Sequence, residues 1–121
     1  MRYATRTMLA LASAVLLVAA GLAAQKTDSA QALLRAATDK AVVDGDLNGA
    51  IKQYQSIVET FKTDRAVVAT ALVRMAECYQ KLGDAESRKI YEQVVREYVD
   101  QKEAAAVARA RLGHKGETGL V

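Results

Sequence analysis

The same turn occurs twice in this chain, at Gly45-Asp46 and at Gly83-Asp84, 38 residues apart. No other feature limits the fold as tightly. Each Gly-Asp lies between two stretches with apolar residues at helical spacing. Ahead of the second turn, Leu72, Met75, Ala76 and Tyr79 fall at i, i+3, i+4 and i+7, one face of a helix. Beyond it, Ile90, Tyr91, Val94, Val95 and Tyr98 form a second stripe. The first turn is followed in the same way by Tyr54, Ile57, Val58 and Phe61, with Tyr54 preceding Tyr91 by 37 residues. The second copy is thus one residue shorter, and the difference falls just after its Gly-Asp. Glycine can take the left-handed conformation that ends a helix, and aspartate can accept from the free N–H groups that begin the next. Each copy therefore predicts a helical hairpin, and a period of this length predicts a stack of them.

Taken in order, five helices are expected. Asp28 or Ser29 is placed to cap a first helix from about Ala30 to Val43, and a second follows from about Leu47 to Lys62. Thr63 or Asp64 then caps a third, about Arg65 to Leu82, and a fourth spans about Ala85 to Val99. Ala50 is expected where two helices cross closely, because a bulkier residue would hold them apart. Asp100 with Glu103 has the spacing of a capping box for a fifth helix, Lys102 to Leu112. Aligning Tyr98 with Phe61 sets Ala106 opposite Ala69 and Leu112-Gly113 opposite Met75-Ala76, so a third repeat begins and then stops. A half-repeat of this kind can cover the open end of a helical stack. The expected fold is all-α: repeats at about 30–62 and 66–99 and a capping helix at about 102–112, within a domain of 25–112. Residues 113–121, rich in glycine and polar groups, read as a flexible tail.

Residues 1–24 have the order of an export signal. Arg2 and Arg6 precede a long apolar run, and Gly-Leu-Ala-Ala stands before Gln25. The rival is an uncleaved membrane anchor, whose apolar run from Met8 to Ala24 is 17 residues, at the short limit for a span. Cleavage is the favoured reading, with no cysteine near the site to carry a lipid. An exported, periplasmic or envelope-associated location follows, with membrane contact only through an uncleaved signal.

The signal also carries part of the charge. The 17 basic and 14 acidic residues of the whole chain become 15 against 14 once Arg2 and Arg6 are removed. No one-sided basic stripe remains for nucleic acid to meet, which argues against that class of partner. Chemistry is sparse as well. His114, the one histidine, lies in the tail without partners nearby in sequence. Cys78, the one cysteine, reads as a small buried hydrophobe rather than a reactive thiol. Tyr54, Tyr79, Tyr91 and Tyr98 are at core spacing. Asp44 and Asp46 lack the later ligands and closing glutamate of a calcium loop. No catalytic, cofactor or metal site is expected, and the chain reads as a non-enzyme.

The residues Ala76, Tyr79, Gly83, Asp84, Ser87 and Tyr91 make the second copy resemble a tetratricopeptide repeat (TPR). Thr38, Ala41, Gly45, Asp46, Ala50 and Tyr54 make a weaker match in the first. The phrase ALVRMAECYQKLGD is similar to TPRs of bacterial envelope proteins, including outer-membrane assembly lipoproteins and a periplasmic cell-division coordinator. The repeat-ending proline of that family is absent, with Lys62 and Val99 standing near its place. The resemblance implies a short TPR-like α-solenoid whose first helices line a partner-binding groove. Carried onto this sequence, the groove residues are Arg35, Asp39, Thr70, Val73, Arg74, Glu77 and Lys81, with Arg35 and Arg74 suited to hold a carboxylate or a peptide carbonyl. The implied partner is a protein or peptide. The alternative is a structural module that pairs with itself through its open ends.

Overall fold

The computed structural model describes Lys26 and residues 28–119, with side chains described as far as Gly113. The first helix, α1, covers 28–42, followed by α2 (Leu47–Thr60), α3 (Arg65–Lys81), α4 (Glu86–Glu97) and α5 (Lys102–Gly119). No strand occurs among the described residues. The expected pair of hairpins and an added helix is what forms, a short TPR-like solenoid. Consecutive helices pack on one another from α2 to α5, and α3 also touches α5.

Both Gly-Asp turns work as their chemistry requires. Gly45 and Gly83 have φ of 69° and 72°, the only positive values among the described residues. Past Gly83, the Asp84 N–H reaches back to the Tyr79 carbonyl at 2.9 Å, closing the end of α3. The one-residue difference between the copies has a local cause. In the first, Asp46 caps α2 by accepting from Gly49 N at 2.9 Å, and its own carbonyl receives Ala50 N, four residues on. In the second, Asp84 accepts from Glu86 N at 2.9 Å, while Ser87 N and Arg88 N bond three residues back. The tighter i→i+3 turn reaches Ser87 three residues after Asp84, where the first copy takes four to reach Ala50.

The turns between hairpins also repeat. Phe61 and Tyr98 end α2 and α4 with nearly the same backbone, φ −110° and ψ 38° against φ −122° and ψ 36°. Asp64 caps α3 by accepting from Val67 N at 3.2 Å. Asp28 and Ser29 do not cap α1, because both already lie within it. The Asp100–Glu103 capping box does not form either. Since α5 starts at Lys102, Asp100 sits one residue too early, and its carboxylate is held by Arg65.

α3 is the centre of the domain, buried on almost every side between Val67 and Cys78. The small residues at the two crossings, Ala50 and Ser87, are both buried. Tyr54 and Tyr91 fill the space beyond them, and each hydroxyl has a partner. Thr38 gives its hydroxyl proton to Leu34 O, so Tyr54 is left to donate to Thr38 Oγ1 at 2.9 Å. The counterpart of Thr38 in the second copy is Ala76, which offers nothing, and Tyr91 donates instead to Gln80 Oε1 at 3.0 Å. Burial raises both phenol pKa values, that of Tyr91 to about 12.

α5 packs as a first helix does, but with less of it covered among the described residues. Ala105 and Ala108 are fully buried, whereas Ala106 and Gly113 are exposed although their α3 counterparts Ala69 and Ala76 are fully buried. α5 also continues to Gly119, past the expected end at Leu112 and into the stretch read as a tail. Gly113 takes no positive φ and so does not end it. The expected signal at 1–24 lies outside the described residues, and His114 lies outside those whose side chains are described. No helix of the described residues is long and apolar enough to cross a membrane.

Candidate functional site

The first helices of the hairpins, α1 and α3, and the unpaired α5 share one face of the stack. Among the depressions on it, two lie side by side. The first, between α1 and α3, is lined by Leu34, Arg35, Thr38, Asp39, Thr70 and Arg74, with Gln31 at its edge. The second, about 150 Å³, lies between α3 and α5. Its polar rim is Thr70, Arg74, Glu77 and Glu103; its apolar part is Val73, Ala104 and Val107. Thr70 and Arg74 belong to both, so α3 is the ridge between two neighbouring troughs.

Helical spacing explains why these side chains converge. Gln31, Arg35, Thr38 and Asp39 fall at i, i+4, i+7 and i+8 on α1, and Thr70, Val73, Arg74 and Glu77 at i, i+3, i+4 and i+7 on α3. Of the seven residues assigned to a groove from sequence, six line one depression or both. Lys81 does not: it stands at the exposed C-terminal end of α3. Val73 needs a second correction. Assigned to the groove from the resemblance, it is only 6% exposed, because α5 closes over this side of α3. It is floor, not wall.

The face carries both signs of charge. Arg74 donates to Glu77 Oε2 at 3.3 Å, one turn along α3, and Glu77 is the more covered of the two. Arg35 has no ion-pair partner among the described residues. The first depression is therefore edged by two guanidinium groups and the Asp39 carboxylate, and the second by two carboxylates and the shared Arg74.

Sequence reasoning passed over Gln31, Leu34 and Thr38, and all three residues from α5. Leu34 and Thr38 are each covered on one side and open on the depression with what remains. The α5 contribution depends on how α5 lies across α3, which no local spacing encodes.

Nothing on this face assembles a reactive constellation. Cys78, one turn along α3 from Arg74, is buried, and burial pushes its thiol pKa up, away from the thiolate. No group of three metal-ligating side chains is found among the described residues. The arrangement can offer hydrogen bonds, paired charges and a strip of apolar floor.

Residues 70–100 match a tetratricopeptide-repeat family model. The match covers the part of α3 that carries the shared ridge, all of α4 and the turn beyond it. No curated protein and no solved structure matches the chain.

Proposed function

We propose that this TPR-like chain is a protein–protein interaction module, non-enzymatic, that receives an extended segment of a partner on the face shared by α1, α3 and α5. The observation that carries the reading is the pair of adjoining depressions with Thr70 and Arg74 common to both. Two adjoining depressions across successive first helices suit an extended chain, whose backbone groups and side chains can be met by Arg35, Thr70 and Arg74. The tetratricopeptide-repeat match supports it, since such repeats generally bind protein partners. A place of action outside the cytoplasm, in a bacterial envelope as adaptor or scaffold, is part of the proposal, supported by the sequence of residues 1–24 and by the resemblance of residues 71–84 to repeats of envelope proteins. Arg74→Glu tests the binding face. Partner adducts in crosslinked cells should be lost while the circular dichroism spectrum and the sedimentation mass stay unchanged. Adducts that survive the substitution would remove the trough from the account.

A second reading has its own observation. Ala106, Ala110 and Gly113 leave a narrow exposed face on α5 where a further helix could lie, and a second copy of the chain is one source of it. Ala106→Glu with Ala110→Glu should then halve the sedimentation mass.

A further inference from the structure

The Arg74–Glu77 pair sits on the boundary between the two depressions. Arg74 lines both of them, but Glu77 lines only the one toward α5, together with Glu103. We infer that the trough selects a peptide carrying an acidic and a basic side chain about three residues apart, and that the Arg74–Glu77 pair couples the two. This rests on the reading of the trough as a peptide-binding face.

An anionic side chain entering between α1 and α3 meets Arg35 and Arg74, and it competes with Glu77 for the Arg74 guanidinium. Glu77 exposes only 22% of its side chain, against 51% for Arg74. A mostly covered carboxylate that loses its cation is penalised, because water restores only part of what the pair supplied. A cationic side chain in the second depression supplies the replacement. Its charge lies between Glu77 and Glu103, and its methylene stem rests on Val73, Ala104 and Val107. Each half of the ligand thus creates the need that the other half meets.

The spacing follows from helix packing. Neighbouring helices lie about 10 Å apart, and an extended or polyproline-like chain advances about 3.1–3.3 Å per residue. One step from the α1/α3 depression to the α3/α5 depression is therefore about three residues. Either chain direction satisfies this, so spacing and charge are the signature, and the order of the two residues is not.

The test uses the full chain and four fluorescent Ala/Ser peptides titrated by anisotropy. One carries Asp and, three residues on, Lys; the others replace Asp by Asn, Lys by Gln, or both. Removing either charge should weaken binding about threefold, the size of an exposed ion pair. Removing the second charge should then cost less than removing the first. Glu103→Gln should weaken the Asp/Lys peptide about threefold and leave the Asp/Gln peptide unchanged. Additive losses, an equal effect of Glu103→Gln on both peptides, or no binding of any peptide would overturn the inference. A crosslinking residue at Thr70 separates this failure from the broader one. If Thr70 still captures a partner, the trough stands and only its charge rule falls; if it captures none, the trough itself falls.

Discussion

The Arg65 guanidinium at the start of α3 donates to both carboxylate oxygens of Asp100, at 2.7 and 3.0 Å, across 35 residues of sequence. It also donates to the Glu97 carbonyl oxygen at 2.6 Å, and it stacks over the Tyr98 ring with its central carbon 4.7 Å from the centroid. One side chain thereby fastens the whole α4–α5 turn to the head of the central helix. In a chain without the proline that would stiffen this turn, Arg65 fixes where α5 begins, and so fixes one wall of the second depression.

Arg65→Ala should therefore lower the thermal midpoint more than Arg65→Lys, and both should fall below the unchanged chain. Lysine keeps the charge, but it cannot make the forked bond or the flat stack. Thermal melts of the three proteins give the order directly, and equal midpoints for all three would show that the clamp contributes nothing.

The same contact predicts an acid dependence. The Arg65 guanidinium holds the Asp100 carboxyl pKa well below the usual carboxylate range. The folded state thus binds a proton less readily than the unfolded chain. The stabilisation is present above the unfolded pKa and is lost as pH falls through the folded one. Urea midpoints of the parent and Asp100→Asn should differ at neutral pH and converge in strong acid.

Gly45→Ala and Gly83→Ala should each cost roughly 1 kcal/mol, the strain of a side chain in the left-handed region. No neighbouring atom lies within 4 Å of a Cβ built at either glycine, so the cost comes from the backbone and not from a clash. Urea denaturation should show nearly additive losses in the double variant, since the two turns share no partner.

Tyr54→Phe and Tyr91→Phe remove hydroxyls that are satisfied inside the domain, at about 1 kcal/mol each. Thr38→Val should remove most of the effect of Tyr54→Phe and none of that of Tyr91→Phe, in a double-mutant cycle. With the Tyr91 pKa raised to about 12, its neutral form is favoured in the folded state. That stabilisation is complete below the unfolded tyrosine pKa and is lost as pH rises through the folded one, so Tyr91→Phe should flatten the alkaline decline.

Cys78 should be silent to thiol reagents until the chain unfolds. It is 4% exposed, and burial favours its thiol form. Labelling that follows the urea transition is the expected result, whereas rapid labelling of the native chain would mean that α3 is more open than described.

The sequence showed the hairpins because their grammar is local. A Gly-Asp at each turn, a small residue at each crossing and a tyrosine beyond it repeat at fixed spacing, and each has a physical reason to be where it is. Arg65–Asp100 was not legible, because it joins two turns that meet only after α4 has folded back. Asp100 instead suggested a cap, one residue out of register. The groove residues on α1 and α3 were legible through the resemblance to tetratricopeptide repeats, and helical spacing then puts Thr70 and Arg74 on one face of α3. Its third wall was not, and Val73 was misplaced for the same reason: the crossing of α5 over α3 is set by packing between repeats.

On the proposed function, the shared face of α1, α3 and α5 holds a partner protein. The most direct measurement places a photoreactive residue at Thr70, which lines both depressions, and at Glu92 on the exposed side of α4, in cells making the full chain. The account predicts a discrete heterologous adduct from Thr70 that is absent from Glu92 and lost with Arg74→Glu. Adducts from Glu92 and none from Thr70, in a protein shown to be folded, would contradict it.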